Sequence, residues 1–282
     1  MNEYVCNSYK TDPRPRLDRL TALLHGLAPA FDVLRPDADT GSGALPSGEA
    51  DHALHLHLLT SGEARLRMAG APVRQVSAPA VVVCRADRAV VPEIVEPGAL
   101  VSVRARFGGP AAPLLMEEFG AVLVVPLDDA DGALAQVVVL IATEIAAPRC
   151  GQPALLERAG DILFIGLLRH LIAHPRTDGG LFGGLADARI ARALVAMHSA
   201  PAHGWTLERL ADEAGMSRTA FAQRFRQIMH CPPGAYLGRL RLAIARRALD
   251  SGASLKRAAG LCGYSGPATL SRALAQSRRR AA

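Results

Sequence analysis

One pattern in the last third of the chain occurs twice and constrains the fold more than any other feature. Ala211 is followed four residues later by Gly215, and Ala259 stands in the same relation to Gly263, 48 residues further along. Each pair lies between two runs with the apolar period of a helix. A small alanine lets two helices cross closely, and glycine readily adopts the positive φ of the turn between them. The pattern therefore predicts two helix-turn-helix units, which is typical of a protein that reads DNA at two adjacent places.

Charge is divided unevenly along the chain. The formal net charge is +6, but residues 185–282 hold 16 Lys and Arg against 5 Asp and Glu, a net charge of +11. Residues 1–184 hold the other 16 basic residues and 21 acidic ones, a net charge of −5. A general excess of arginine does not predict this separation. We therefore expect the C-terminal region to carry a surface for double-stranded DNA.

Length and composition predict the class of protein. The chain has 282 residues, half of them hydrophobic, which is enough for two domains with their own cores. No run of about eighteen uncharged apolar residues predicts a membrane span, and residues 1–16 lack the apolar core of a signal peptide. The five cysteines are scattered, with no C-x-x-C pair. We expect a cytoplasmic protein with reduced thiols and no contact with a membrane.

The first two-thirds of the chain pass from one periodicity to another. Residues 18–27 have the apolar spacing of a short helix, whereas residues 31–125 contain short apolar segments separated by glycine and proline. This spacing predicts antiparallel strands that form a small barrel or sandwich. The expected strands are 52–59, 64–68, 80–84, 100–107 and 121–125. Beyond them the period is helical again, which predicts helices at 134–146 and 154–174.

The long apolar stripe of the 154–174 helix has to be buried against something, and we expect a homodimer that is formed through this helix. The glycine-rich stretch after it predicts a linker. The predicted fold class is therefore α+β. A barrel domain with flanking helices is expected at 1–178, a linker at 179–186 and an all-α double helix-turn-helix domain at 187–282.

Few residues in the N-terminal region could carry chemistry. His55 and His57 alternate as two metal ligands on one strand would, with Glu63 downstream, but a further histidine is missing about thirty residues on, where Ala89 and Val90 stand. We interpret the histidines as solvent-facing residues of an edge strand and predict no metal site. The sequence has no nucleophile elbow, phosphate-binding loop or dinucleotide fingerprint. We therefore expect no cofactor and no enzymatic activity; the alternative is a metal-dependent enzyme fused to a DNA-binding domain.

The helix after the first turn is the predicted recognition helix. Ser217 caps it, and Phe221, Phe225 and Ile228 fall on one face, which must be core. Its opposite face is expected in the major groove, with base contacts from Arg218, Thr219, Ala222, Gln223 and Arg226. Arginine bonds bidentately to guanine and glutamine to adenine, while small methyl groups contact thymine. Arg224 points sideways, so we assign it to a phosphate.

The second unit follows the same plan with fewer base-reading candidates. A long helix that starts at Pro232 and Pro233 is expected to separate the two units. In the second recognition helix Leu270 and Leu274 take the core positions. The outward residues are Ala268, Ser271 and Arg272. Of these, Arg272 is the evident base reader and Ser271 supports it.

These motifs together resemble a known family. Residues 188–276 are similar to the DNA-binding domain of AraC/XylS-family transcription regulators, through the run Trp205–Arg226, the Pro232-Pro233 start with Tyr236 and Arg239 at the family's spacing, and Gly263-Tyr264. The N-terminal region resembles the cupin-like domain of one AraC subgroup, through residues 55–67 and 201–205. The resemblance implies a cupin-like sensor and dimerisation domain that is controlled by a small effector. It also implies a seven-helix reader and regulation through contacts with RNA polymerase.

The second unit departs from the family pattern. The family usually has Phe where Leu270 and Leu274 stand and a capping Ser at Gly266, and its final helix is not evident in residues 275–282. Smaller core side chains cost packing energy. We therefore predict a loosely folded second reader that holds phosphates and adds little sequence discrimination. The predicted phosphate-binding residues are Arg278, Arg279 and Arg280. A further alternative is a degenerate regulator that acts through a protein partner.

Overall fold

The computed structural model describes residues 18–34, 52–68, 72–87, 90–95, 100–127, 132–175 and 179–281. The strands are β1 (Pro29–Leu34), β2 (Ala53–Leu59), β3 (Glu63–Met68), β4 (Arg74–Ser77), β5 (Ala80–Arg85), β6 (Val90–Ile94), β7 (Leu100–Phe107) and β8 (Val122–Pro126). Over these ranges the strands form two antiparallel sheets, with the order β1-β7-β2-β5-β8 in the larger and β4-β3-β6 in the smaller. The five expected strands are confirmed, and so is the α+β class.

The two faces of the larger sheet contribute to different cores, because side chains alternate along a strand. On β2, Leu54, Leu56 and Leu58 belong to the main core. Val82 of β5 belongs to a second core, which also contains Leu66 of the smaller sheet. The second core therefore lies between the two sheets, and the main core lies on the outer face of the larger one.

The interpretation of His55 and His57 as solvent-facing residues of an edge strand is wrong. β2 lies between β7 and β5, in the middle of the larger sheet, and the two histidines are 8% and 1% exposed. They alternate with the leucines and therefore face the space between the sheets. The polar alternation of the sequence separates two buried faces here, whereas in an antiparallel sheet it usually separates a buried face from a solvated one.

Three strands lie outside the expected set: β1, β4 and β6. In β4 only Val76 is buried, while Arg74, Gln75 and Ser77 are exposed. A short strand at the edge of a sheet needs few apolar residues, so it leaves no periodic signal in the sequence.

The N-terminal region also holds helices α1 (Thr21–Leu27), α2 (Ala112–Met116), α3 (Gly132–Ala146) and α4 (Gln152–Ala173). The expected helices at 134–146 and 154–174 are α3 and α4. Most of the apolar stripe of α4 is buried within the chain, since it packs on β1 and α3. The contact with β1 is close: a Cβ on Gly160 would lie 2.6 Å from the Cβ of Phe31.

The C-terminal helices are α5 (Gly180–Ala186), α6 (Ala188–Ser199), α7 (Leu207–Ala214), α8 (Arg218–Met229), α9 (Pro233–Asp250), α10 (Leu255–Leu261) and α11 (Pro267–Ala281). The segment expected as a linker at 179–186 is therefore almost entirely the helix α5. Its side chains Leu181, Phe182 and Leu185 are buried against neighbouring helices, which gives this glycine-rich stretch the burial that a helix needs. The expected domain boundaries at 178 and 187 stay predictions.

None of the described helices combines the length and the apolar character that crossing a membrane requires.

Candidate nucleic-acid interface

The predicted recognition helix α8 is positioned by two caps and one glycine. The hydroxyl of Thr206 accepts a hydrogen bond from the amide of Arg209 at the start of α7, and that of Ser217 accepts one from Ala220 at the start of α8. Gly215 ends α7 at a φ of +62°, a conformation that favours glycine. These three residues set the angle between α7 and α8, and the first predicted helix-turn-helix is present in the structure.

The two faces of α8 have opposite environments. Phe221 and Phe225 are fully buried with ring centroids 5.6 Å apart, and Phe225 contacts Tyr236 of α9 at 6.0 Å. The residues predicted to meet DNA lie away from this core. Arg218, Thr219, Gln223, Arg224 and Arg226 are exposed and Ala222 is half-buried. The first turns of α8 thus present a polar, basic surface that a buried aromatic face holds in place.

Arg224 has a partner within the chain that the sequence did not indicate. Its Nε and Nη2 atoms donate to Oδ2 of Asp187 at 3.1 and 2.9 Å. The other oxygen of Asp187 accepts from the amides of Arg189 and Ile190, at the start of α6. Burial acts to raise the pKa of the Asp187 carboxyl, but the amides of Ile190 and Arg189 and the side chain of Arg224 together outweigh it, so the pKa lies below its usual value. An aspartate directly before a helix is a recognisable cap, but its pairing with Arg224 depends on the tertiary fold.

The second unit repeats the local geometry. Ser254 caps α10 by accepting from the amide of Arg257, and Gly263 has a φ of +73°. A side chain at Gly263 would clash, since its Cβ would lie 2.4 Å from the carbonyl oxygen of Ala202.

The predicted DNA-contacting residues of the second unit lie on α11. This helix begins at Pro267 as expected, and the outward residues Ala268, Ser271 and Arg272 are all exposed. Arg279 is exposed too, whereas the side chains of Arg278 and Arg280 lie outside the described part.

The helix α9 connects the two units and is fixed to the loop before α7. Arg241 donates from Nε to the carbonyl of Pro201 at 2.8 Å and from Nη2 to that of His203 at 2.7 Å. Arg246, which faces away from the core, donates to the hydroxyl of Ser277 on α11 at 2.8 Å. These bonds connect α9 to the loop before α7 and to α11.

The N-terminal region and the first unit are in direct contact. Arg19, before α1, donates to the carbonyls of Leu185 and Ala186 at 2.8 and 3.2 Å, at the C-terminal end of α5. At the other end of α5 the carboxylate of Glu118 accepts from the amide of Leu181 at 2.8 Å. Burial raises the pKa of Glu118, although that backbone bond opposes the shift. Glu117 forms an ion pair with Arg239 of α9. Both ends of α5 are therefore held by the N-terminal region.

The two buried histidines between the sheets have Ser102 and Arg104 as neighbours. The Nδ1 of His57 shares a hydrogen bond of 2.9 Å with the hydroxyl of Ser102, and Arg104 is the cross-strand neighbour of His55. Burial lowers the pKa of both histidines to about 4, and the charge of Arg104 acts in the same direction on His55. A cation beside two imidazoles opposes metal binding, and no group of three or more metal-ligating side chains occurs in the described ranges. The donor set does not fit a metal of the cupin type.

Comparison with known proteins matches these two regions separately. A cupin family model matches residues 18–173, and a helix-turn-helix domain model matches residues 210–279. A putative AraC-like transcription regulator of Streptomyces lividans is 34% identical over 168 residues, which is 58% of this chain and 55% of that protein. The regulator AlkR of Acinetobacter baylyi is 34% identical over 134 residues, 47% of this chain and 44% of that protein. The chain thus spans about half the length of the curated relatives it matches.

Among solved structures, the DNA-binding domain of AdpA in complex with a target DNA is 28% identical to this chain. The match covers 32% of this chain and 88% of that domain, with a TM-score of 0.30.

The chain combines a cupin region with basic, paired helix-turn-helix units. Since the cupin model matches more than half of its length, the chain belongs to that cupin family, and its helix-turn-helix region accompanies a similarity to AraC-like transcription regulators.

Proposed function

We propose that this protein regulates transcription by binding double-stranded DNA in a sequence-specific way through α8. The observation that carries the proposal is the division of α8 into a buried aromatic face and an exposed face of basic and polar residues. A recognition helix has to expose its first turns to the major groove and to be held rigidly from behind. The charge of residues 185–282 supplies the attraction to phosphates that such binding needs.

Each α8 side chain that is predicted to meet DNA receives a role from its chemistry. Arg218 is assigned to a guanine and Gln223 to an adenine, because arginine bonds guanine bidentately and glutamine bonds adenine bidentately. The methyl groups of Thr219 and Ala222 are assigned to thymine contacts. Arg226 lies on the same face and contributes a further base contact. Arg224, which Asp187 holds, is assigned to a phosphate.

The second helix α11 is assigned a lesser part. Arg272 is its base reader and Ser271 and Ala268 lie beside it, all three exposed. The arginines 278 to 280 add phosphate contacts that are independent of sequence. The unit thus contributes affinity more than discrimination.

The N-terminal region is proposed to control the reader. We assign the binding of a small effector to the N-terminal region, because a cupin domain encloses its interior between sheets. Arg19 and Glu118 connect this region directly to α5, and through them an effector can influence the reader. We also propose a homodimer through the 154–174 helix, in which Ile162 is 51% exposed, while Val139 on the neighbouring helix α3 is 61% exposed. Regulation then follows from contacts with RNA polymerase in the cytoplasm, with no catalytic step.

One observation favours a second candidate, a degenerate regulator that acts through a protein partner. The fully buried residues in the core of the second unit are Ala245, Ala258, Ala259, Cys262 and Leu270, and only the last is a large side chain. The other large hydrophobic residues that pack there, such as Leu255 and Leu274, are only partly buried. A unit with so few large, fully buried side chains is poorly suited to hold a reader against DNA.

The experiment that separates the two candidates is the selection of bound fragments from the organism's own DNA at two salt concentrations. A regulator of the proposed kind gives a shared sequence motif that survives the higher salt, because base contacts depend less on counterion release than phosphate contacts do. Binding that disappears with salt and leaves no motif contradicts the proposal and favours the degenerate candidate.

A further inference from the structure

Asp187 uses its two carboxylate oxygens for two different structural tasks. One oxygen caps α6 through the amides of Arg189 and Ile190, at 2.9 and 3.0 Å. The other accepts both the Nε and the Nη2 of Arg224, at 3.1 and 2.9 Å. The carboxylate side chain is only 16% exposed, whereas that of Arg224 is 49% exposed. A largely buried anion thus holds a half-exposed cation on the outer surface of the recognition helix.

This arrangement leaves a defined part of Arg224 available. Because Nε and Nη2 face Asp187, the Nη1 edge of the guanidinium points away from the carboxylate with both of its hydrogens. A free arginine side chain loses considerable rotamer freedom when it binds a phosphate. Asp187 has removed most of that freedom before DNA arrives, because it fixes the plane of the guanidinium.

We propose that Asp187 is a positioning residue for DNA binding: it orients Arg224 so that the free edge of the guanidinium meets a phosphate. The inference rests on the assignment of Arg224 to a phosphate, which belongs to the proposed function. Asp187 itself does not contact DNA in this account. Its second bond, to the start of α6, anchors the pair to the rigid body of the first unit.

The negative charge of Asp187 also affects DNA binding, in the direction opposite to that of its positioning bond. An experiment has to separate the two effects. Removal of one carboxylate makes the reader more positive, which strengthens binding to every sequence and steepens its salt dependence. Removal of the positioning bond weakens the same binding. Only the second effect requires Arg224, so the two effects can be told apart in the absence of that side chain.

The test is a double-mutant cycle with Asp187→Asn and Arg224→Ala. Asparagine is as good a helix cap as aspartate, so α6 keeps its start. The single amide oxygen of the asparagine accepts the bonds of the cap, so its NH₂ group faces the N–H donors of Arg224. Because two donors cannot bond each other, the guanidinium is released. Affinities are measured for a duplex from the fragment selection and for a shuffled duplex, at salt concentrations from about 0.1 to 0.3 M, where exposed charges are increasingly screened.

We expect Asp187→Asn to weaken binding about three- to tenfold in the chain with Arg224. In the Arg224→Ala background the same substitution should weaken nothing and give at most a small gain. A purely structural role predicts equal losses in both backgrounds, and a role in damping charge predicts tighter binding in the chain with Arg224. Either result overturns the proposal. Because a phosphate contact does not depend on sequence, the shuffled duplex tests the inference even where base recognition fails.

Two further variants make the cycle more stringent. Asp212→Asn removes the same charge from an exposed position on α7 and should give a small gain in both backgrounds. Arg224→Lys keeps the charge but loses the two-pronged bond, and should weaken binding as Asp187→Asn does. If neither Arg224→Ala nor Arg224→Lys weakens binding, the phosphate assignment and the inference are both wrong. If a motif is nevertheless selected, base recognition by α8 stands.

Discussion

The two helix-turn-helix units have the same local geometry and very different cores. In the first unit Phe221, Phe225 and Tyr236 are fully buried and belong to the main core, which continues into the N-terminal region. The core of the second unit is a separate cluster with one large buried side chain, Leu270. Caps and glycine turns are therefore sufficient to repeat a fold, but they do not determine how firmly each copy is held. The rigidity that a base-reading helix needs comes from packing, and the first unit has much more of it.

The largest expected effect concerns the aromatic core of the first unit. Phe221→Ala should lower the free energy of unfolding by about 3–5 kcal/mol, because it leaves a cavity in a continuous core. Gln227→Ala, at an exposed position of the same helix, should change it by less than about 0.5 kcal/mol. Chemical denaturation measures both. A cost for Phe221→Ala no larger than that of the control would mean that the first unit is not anchored as the structure indicates.

Acid should also distinguish the two units. His198 of α6 shares a hydrogen bond of 2.7 Å with the hydroxyl of Tyr236, and burial lowers its pKa to about 4, from 6.5. The unfolded chain therefore binds more protons between these values. The part of the stability that depends on His198 is complete above pH 6.5 and falls by about 1.4 kcal/mol per pH unit as the pH decreases towards 4.

The residues from 234 onward contain no histidine, so the second unit lacks this source of acid sensitivity. His198→Gln should remove one histidine's share of the pH dependence, and urea unfolding at pH 7 and pH 5 measures it. His55 and His57 contribute to the pH dependence of stability in both the variant and the wild type. If variant and wild type lose the same stability on acidification, the pKa of His198 is not lowered.

Substitutions of the proposed base readers on α8 should have intermediate effects. Arg218→Ala or Gln223→Ala is expected to cost about 1–3 kcal/mol of discrimination at particular base pairs, and almost nothing at the others. Arg224→Ala should instead weaken all sequences alike and reduce the salt slope by about one. Titration of duplexes with single base changes measures these differences. Uniform losses for all three variants would mean that another face of α8 meets the DNA.

The smallest effect on discrimination is expected from the second unit. A chain truncated after Ser251 should retain most of its preference between sequences and lose affinity that depends on salt, because the arginines of α11 are removed. Truncation exposes the apolar side of α9 around Ala245, so circular dichroism has to verify that the first unit remains folded. A large loss of specificity at constant salt would contradict the assignment of a lesser part to α11.

Features that depend on local signals could be predicted from the sequence. The repeated Ala–Gly spacing, the caps Thr206, Ser217 and Ser254, and the aromatic face of α8 are local signals, and the helices they predict are present. Valine-rich strands such as β5 were predicted because a short apolar run is also a local signal. Strand β4 was missed because a short edge strand has little apolar pattern, and α5 was missed because four glycines in 179–184 resemble a linker.

Features that depend on tertiary contacts could not be predicted. The burial of His55 and His57 follows from the central position of β2, which the alternation of polar and apolar residues does not reveal. The bond between Asp187 and Arg224 joins residues 37 positions apart. Partners at that separation meet only when α6 and α8 pack, so sequence reasoning could identify Arg224 as sideways-pointing but could not find what it contacts.

The most direct test of the account compares fragment selection for two matched variants, Gln223→Ala and Arg272→Ala. Each removes one predicted base reader at an exposed position, the first from α8 and the second from α11. We expect Gln223→Ala to erase the preference at one or two positions of the motif, whereas Arg272→Ala should leave the motif nearly unchanged. A motif that survives Gln223→Ala but changes with Arg272→Ala would contradict the claim that the first unit carries the discrimination.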